Sequence, residues 1–211
     1  MLLRIVELRS GSVCIDGIDI STISINQVRE SLNVLSQETF FLHGTIRDNL
    51  VMASSQLDSD ERIEAVLTRV GLWGKVVGTG GLDVALDAEE SFSHGERQLF
   101  ALARAMLNPS KILVLDEFTS KYAHVFNTSE ICYYANQYSV DVETDRAMQK
   151  IIREDFRDRT VIAVAHRLET ILDFDRIVVL DQGRLIEQGS PEQLLKINSN
   201  FGSLYNTYKN K

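Results

Sequence analysis

The sequence predicts an α/β fold with a parallel sheet at its core and helices beside it. Residues 111–115 and 160–165 are two continuous apolar runs, which is typical of parallel strands covered on both faces. A helix expected at roughly 143–155 lies between them and makes a βαβ unit. Residues 45–107 have a mostly helical pattern, and residues 97–107 are apolar on nearly all sides, as in a buried helix.

Shorter elements are predicted on either side of this core. They are the end of a helix at 2–8, a strand entering a tight turn at 12–17, a strand at 32–35, a hairpin formed by 176–180 and 184–187, and a last helix that starts at Ser190 and Pro191.

Composition limits the classes of function. The chain of 211 residues has a formal net charge of −8, which argues against a nucleic-acid-binding surface. No apolar run approaches the ~20 residues that a membrane-spanning helix needs. The two cysteines, Cys14 and Cys132, are too few for a disulfide framework and favour a reducing compartment.

Two adjacent carboxylates, Asp116 and Glu117, follow the first apolar strand. Ligands of open α/β sheets bind at the carboxyl ends of the strands. A carboxylate there can hold Mg²⁺, and a second one can orient or deprotonate a water molecule. An acidic pair at a strand end is more often a helix cap, so this pair alone does not indicate a metal site.

Ser93 and Glu96 stand immediately before the buried helix with the spacing of a capping box. With Gly95 between them, the same segment also resembles a helix start that offers N–H groups to a phosphate. Gln37 and His166 each follow a predicted strand. Each of these features has a structural explanation by itself, but their fixed order along the chain is far more specific than any one of them.

In this order the segments resemble the motifs of ABC-type ATPases. The matching segments are the Q-loop at 34–37, the signature motif at 92–98, Walker B with its glutamate at 112–117, and the switch histidine region at 164–168. Residues 11–21 and 37–50 look most like the second ATPase domain of fungal subfamily C exporters, the multidrug-resistance-associated group. The resemblance covers nearly the whole chain except residues 121–138.

The resemblance implies a P-loop NTPase (ABC ATPase) fold that hydrolyses ATP with Mg²⁺ in a head-to-tail dimer. It also implies a role for each matching residue: Asp116 and Gln37 at the metal, Glu117 at the attacking water, His166 at the γ-phosphate, and Gln37, Ser93, Gly95, Glu96 and Asp141 at the nucleotide. Gln37 would also sense the coupling to the membrane domain. The implied partners are transmembrane domains and a second nucleotide-binding domain, at the cytoplasmic face of a membrane. The implied activity is export of organic anions or xenobiotics.

One departure from the family pattern concerns the phosphate-binding loop. The motif G-x-x-x-x-G-K-S/T does not occur in residues 1–211. We therefore expect an N-terminally truncated domain that binds ATP poorly and hydrolyses it negligibly by itself. We also expect the strand at 111–115 to have a vacant neighbouring position in the sheet.

A second departure divides the predicted domain. Within a partial nucleotide-binding domain at 1–211 we expect a helical subdomain at 44–107 and an insertion at 121–138, which delays the D-loop segment that contains Asp141. Removing the insertion restores a family-like spacing between Glu117 and His166. Codons for its ends can hide splice signals, which favours a retained intron, while a genuine loop insertion is the alternative.

A third departure is Glu96, which replaces the glutamine usual in the signature motif. Its carboxylate suits the start of a helix but adds negative charge near a triphosphate, so we expect Glu96→Gln to raise nucleotide affinity.

Two other functions stay open. One is a non-catalytic fragment that lends its signature motif to a partner ATPase, and the other is a soluble ABC protein that acts on ribosomes or DNA.

Overall fold

A computed structural model describes residues 2–8, 10–36, 38–52, 59–87, 91–116, 118, 142–165, 168–196 and 199–209. The chain divides into two compact units, residues 1–162 and 163–211. Among the described residues, no helix has the length and apolar character required to cross a bilayer.

The elements of the larger unit are, in chain order, β1 (Cys14–Ile15), β2 (Ile18–Asp19), a 3-10 turn (Ile20–Thr22), α1 (Ile25–Glu30), β3 (Leu32–Ser36), α2 (Ile46–Val51), α3 (Asp60–Arg69), α4 (Trp73–Gly78), α5 (His94–Leu107), β4 (Ile112–Asp116) and α6 (Val142–Asp155). Strand β5 (Thr160–Val164) spans the boundary. The smaller unit continues with a 3-10 turn (Leu168–Ile171), β6 (Ile177–Asp181), β7 (Arg184–Gly189), α7 (Pro191–Lys196) and α8 (Asn200–Lys209).

The main sheet has the strand order β3-β4-β5. Strands β3 and β4 run parallel, with Leu32 opposite Ile112 at one end and Ser36 opposite Asp116 at the other. This confirms the predicted α/β fold with a parallel sheet. The vacant position expected beside residues 111–115 is wrong, because β4 is the middle strand and has a hydrogen-bonded neighbour on each side.

Strand β5 lies at the edge of this sheet. The prediction that both of its faces are covered is wrong. The side chains of Ile162 and Val164 are 41% and 54% exposed. An apolar run shows that a strand has apolar side chains, but it does not show which elements pack on them. The position of β5 in the strand order could therefore not be predicted from its composition.

Residues 2–8 form turns and bends, so the predicted helix end is wrong. Arg4 has a φ of +48°, outside the helical range. Its Nη1 donates hydrogen bonds to the carbonyl oxygens of Ile20 at 3.1 Å and Ile23 at 2.8 Å. Leu2 and Leu3 pack on a small apolar cluster beside these residues. Contacts with distant residues therefore determine the conformation of this segment.

Both predicted tight turns are confirmed as hairpins. Asp16 and Gly17 connect β1 to β2 with φ values of +50° and +80°, and Gln182 and Gly183 connect β6 to β7 with +46° and +75°. Two successive residues of positive φ are the pattern of a type I′ turn, which accounts for a glycine at the second position of each.

Helix α5 is the central element of the core of the larger unit. Phe100, Leu102 and Ala103 are fully buried, and the helix contacts α2, α3, α6 and β3. The Phe100 ring packs against Phe41 and Phe92, with ring centres 5.2 and 5.6 Å apart. The buried helix predicted at 97–107 is confirmed, and it begins three residues earlier.

Asn49 fixes the loop that joins β3 to α2. Its side chain is fully buried; Oδ1 accepts a hydrogen bond from the Leu42 N–H at 2.8 Å, and Nδ2 donates to the carbonyls of Leu42 at 2.9 Å and Thr45 at 3.0 Å. A buried amide with three backbone partners holds a loop that has little regular structure of its own.

We expect Asn49→Ala to lower the free energy of unfolding by about 1–3 kcal/mol, because it removes a fully buried side chain and leaves partly buried backbone groups of Leu42 and Thr45 without their partner. Urea denaturation of the polypeptide of residues 1–211 measures this change. Asn26→Ala, an exposed asparagine on α1, is the matched control and should change the value by less than about 0.5 kcal/mol. Equal effects of the two variants would contradict the prediction.

Candidate functional site

The carboxyl ends of β3 and β4 form the first part of the candidate site. Ser36 and Asp116 are the last residues of the two strands and lie opposite each other in the parallel register. Gln37 and Glu117 are the next residues in the sequence, and ligands of open α/β sheets bind at the carboxyl ends of the strands. Asp116 is exposed there, and no described residue donates a hydrogen bond to its carboxylate.

The start of α5 forms the second part, and its capping box is confirmed. Ser93 Oγ accepts a hydrogen bond from the Glu96 N–H at 3.2 Å, and Glu96 Oε2 accepts one from the Ser93 N–H at 2.7 Å. These bonds satisfy two of the N–H groups that a helix start leaves without intrahelical partners. The box does not use the Gly95 N–H.

A second helix contributes a cation to this turn. Lys75 Nζ of α4 lies 2.6 Å from Glu96 Oε2 and 5.3 Å from the centre of the Phe92 ring. Burial alone would raise the pKa of Glu96, but the hydrogen bonds from Lys75 and Ser93 outweigh it and hold the pKa below its usual value. Lys75 could not be predicted as part of this turn, because nothing in the local sequence of α4 indicates that its side chain contacts the signature segment.

Gly95 is closely packed against α6. A Cβ atom built on Gly95 would lie 3.2 Å from Thr144 Cγ2 and 3.6 Å from both Thr144 Cβ and Oγ1. The smallest residue therefore has a packing reason to stand here. Two explanations for a glycine at position 95 therefore stand side by side. One is the predicted close approach of a nucleotide from outside, and the other is the close contact with Thr144 inside the fold.

Gln98 connects α5 to the segment that follows Asp116. Its side chain is fully buried, and Nε2 donates a hydrogen bond to the Phe118 carbonyl at 2.9 Å. The start of the signature helix and the carboxyl end of β4 are thus held together inside one unit. A glutamine within the segment predicted to be a buried helix is the sequence signal that could have indicated this contact.

A groove of about 750 Å³ runs along β3, and residues of α1 and α5 contribute to its lining. Arg104 lies in it with its guanidinium 5.3 Å from the centre of the Phe40 ring. It donates hydrogen bonds to the carbonyls of Asn49 at 2.8 Å and Phe40 at 3.2 Å. Burial lowers the pKa of Arg104 to about 10, so it stays cationic at neutral pH.

Four of the predicted site residues lie outside the described residues: Gln37, Glu117, Asp141 and His166. Residues 121–138, the predicted insertion, also lie outside them. Within the described part of the chain, no group of three or more histidine, cysteine, aspartate or glutamate side chains is placed to hold a metal ion. Of the two predicted metal ligands, Asp116 lies within the described residues and Gln37 does not. Both roles stay predictions.

We expect Gly95→Ala to be less favourable in the wild type than in a Thr144→Ser background, by about 0.5–1.5 kcal/mol of unfolding free energy. An alanine raises helix propensity, but its methyl group presses on Thr144 Cγ2, which serine lacks. Four urea denaturation curves give the coupling. Gly74→Ala, whose added methyl group meets no atom within 4 Å, is the control and should show no coupling with Thr144→Ser. Additive effects of Gly95→Ala and Thr144→Ser would show that the close contact has no energetic weight.

Comparison with known proteins gives the same family by sequence and by structure. The ABC transporter family model matches residues 1–120. The chain is 47% identical to the ABC transporter ecdL of Aspergillus rugulosus over 96% of its own length and 12% of that protein. It is 40% identical to the ATP-binding cassette sub-family C member 2 of Rattus norvegicus, over 97% of its length and 12% of that protein.

The fold has a solved counterpart. A structure of a bacterial Atm1-family ABC exporter with ATP bound matches 99% of this chain and 34% of that one, with a TM-score of 0.80 and 28% identity. The chain spans roughly an eighth of the length of the curated relatives it matches. With the parallel sheet, the capped signature helix and the ordered motifs, these matches confirm the resemblance: the chain belongs to the ABC transporter family and corresponds to its nucleotide-binding domain.

Proposed function

We propose that the chain is the ATP-hydrolysing domain of an ABC exporter, and that ATP hydrolysis in the intact protein drives export of organic anions or xenobiotics. The observation that carries the proposal is the register of β3 and β4. It pairs Ser36 with Asp116 at the carboxyl ends of the two strands, and the Q-loop glutamine and the Walker B glutamate are the next residues in the sequence. The bacterial exporter of the same fold was solved with ATP bound.

In this proposal each residue acts through its own chemistry. Asp116, an exposed carboxylate, holds Mg²⁺ together with Gln37, since oxygen atoms are the ligands that this cation prefers. Bound Mg²⁺ offsets the negative charge of the phosphates. Glu117 orients the attacking water and accepts its proton, and His166 donates a hydrogen bond to the γ-phosphate.

Residues at the start of α5 bind the nucleotide held by a second domain. Gly95 is buried in the first turn of a helix of 14 residues, its N–H is not used by the capping box, and an anion is stabilised at this positive end of the helix. Ser93 contributes its hydroxyl group next to it, Glu96 sets the local charge, and Asp141 of the D-loop faces the same nucleotide. A head-to-tail pair of domains is required for this arrangement.

The partners that follow from this proposal are transmembrane domains and a second nucleotide-binding domain, at the cytoplasmic face of a membrane. The groove beside β3 supports a docked segment of the transmembrane domain, since an exposed aromatic ring, Phe40, lies there next to a half-buried cation, Arg104. An apolar segment with an acidic side chain would satisfy both.

A second candidate function is a non-catalytic fragment that lends Ser93 and Gly95 to a partner ATPase. In that function the partner supplies the motif G-x-x-x-x-G-K-S/T, whose backbone N–H groups, lysine and hydroxyl group bind the phosphates and the metal. For these residues by themselves we propose weak ATP binding and negligible hydrolysis.

We expect Glu117→Gln to lower ATP hydrolysis by the intact transporter about 10²- to 10⁴-fold while ATP binding persists, because the amide cannot accept the proton of the attacking water. Steady-state hydrolysis and a binding titration measure the two quantities. Glu143→Gln, an exposed glutamate on α6, is the control and should leave both unchanged.

The same assays separate the two functions. Undiminished hydrolysis in the Glu117→Gln variant would contradict a catalytic role for this domain. If, in addition, the polypeptide of residues 1–211 co-purifies with a domain that contains the phosphate-binding loop only when ATP is present, the non-catalytic function is supported instead.

We also propose that residues 121–138 are an insertion within the partial domain, encoded by a retained intron, and that residues 44–107 act as a helical subdomain. Long-read sequencing of transcripts through the codon for Asp145 is expected to show messages that lack the segment. Retention of the segment in every transcript would contradict the intron and leave a genuine loop insertion.

A further inference from the structure

Lys75 brings a positive charge to the signature segment from a different helix. Its Nζ lies 2.6 Å from Glu96 Oε2 and 5.3 Å from the centre of the Phe92 ring. Lys75 and Glu96 are 21 residues apart in the sequence. Their contact is therefore a property of the folded unit and not of local helix geometry.

The frame that carries this cation is well buried. Two buried side chains lie on either side of Lys75 in the sequence: Leu72, just before α4, is 2% exposed, and Val76, within α4, is fully buried. On the other side Phe92 is 3% exposed and packs on the Phe100 ring of α5. Lys75 thus extends from a fixed helix over a fixed ring, while its own side chain is 37% exposed.

Glu96 has two effects that oppose each other. Its Oε2 atom caps the helix by accepting the Ser93 N–H, and its charge would repel a triphosphate at the same turn. The Lys75 ammonium group bonds to that same Oε2 atom. It can offset the charge without removing the cap, which a neutral side chain in place of Lys75 could not do.

We propose that Lys75 is a positioning residue for the nucleotide: by pairing with Glu96 it offsets the repulsion between that carboxylate and the phosphates, and it holds the turn that carries Ser93 and Gly95. The inference rests on the proposed function, because it concerns the affinity of that same site. Lys75 acts through Glu96 and does not itself touch the nucleotide.

The test is the dependence of hydrolysis on ATP concentration in the full-length transporter. We expect Lys75→Met to raise KM for ATP about three- to fivefold with kcat nearly unchanged, as for the loss of one partly exposed ion pair. Lys75→Arg keeps the charge and should restore KM to within twofold of the wild type. Glu96→Gln alone should lower KM, and adding Lys75→Met to it should change KM by less than twofold.

Lys150→Met is the matched control, since Lys150 is an exposed lysine that faces Glu154 one turn away on α6. It removes one positive charge elsewhere and should leave KM unchanged. An equal rise of KM for Lys75→Met in the wild type and in the Glu96→Gln background, or no rise in either, overturns the role of Lys75. A wild-type transporter that neither binds nor hydrolyses ATP overturns the proposed function itself, and the inference with it.

Discussion

The burial of helix α5 is the constraint on which the larger unit depends. One side chain after another along this helix is removed from water, and α2, α3, α6 and β3 pack around it. Each fully buried apolar side chain contributes roughly 1.5–3 kcal/mol, so the helix cannot shift without a large loss. Its first turn is therefore fixed relative to the sheet, and Gln98 secures it through the Phe118 carbonyl.

The sequence predicted the elements whose signals are local. Apolar runs identified β4 and β5, the Ser93–Glu96 pair identified the start of α5, and Gly183 identified the turn of a hairpin. It failed where distant residues decide the outcome: Arg4 holds residues 2–8 through carbonyls about 16 and 19 residues away. Strand order also depends on distant residues, which is why the covered faces of β5 and a vacancy beside β4 were predicted wrongly.

The candidate site was predicted to a different extent in its two halves. Asp116 could be assigned from the sequence because Walker B is a continuous segment, and the parallel register supports its position at the carboxyl end of the sheet. The residues that surround Gly95 could not be predicted from the sequence, because Thr144 lies on another helix and far along the chain. The roles of Gln37, Glu117, Asp141 and His166 rest on their motifs, and they stay predictions.

The substitution at Glu96 shows why charge at a helix start has to be judged in three dimensions. From the sequence alone, a carboxylate in place of glutamine is expected to lower the affinity of any site that binds phosphates. In the fold, the same oxygen atom caps Ser93 and bonds to Lys75, so the cap is kept while part of the charge is balanced. A carboxylate can accept both hydrogen bonds with full charge, whereas an amide oxygen would accept them more weakly. Glu96 and Lys75 therefore form one unit, and the effect of either on the nucleotide depends on the presence of the other.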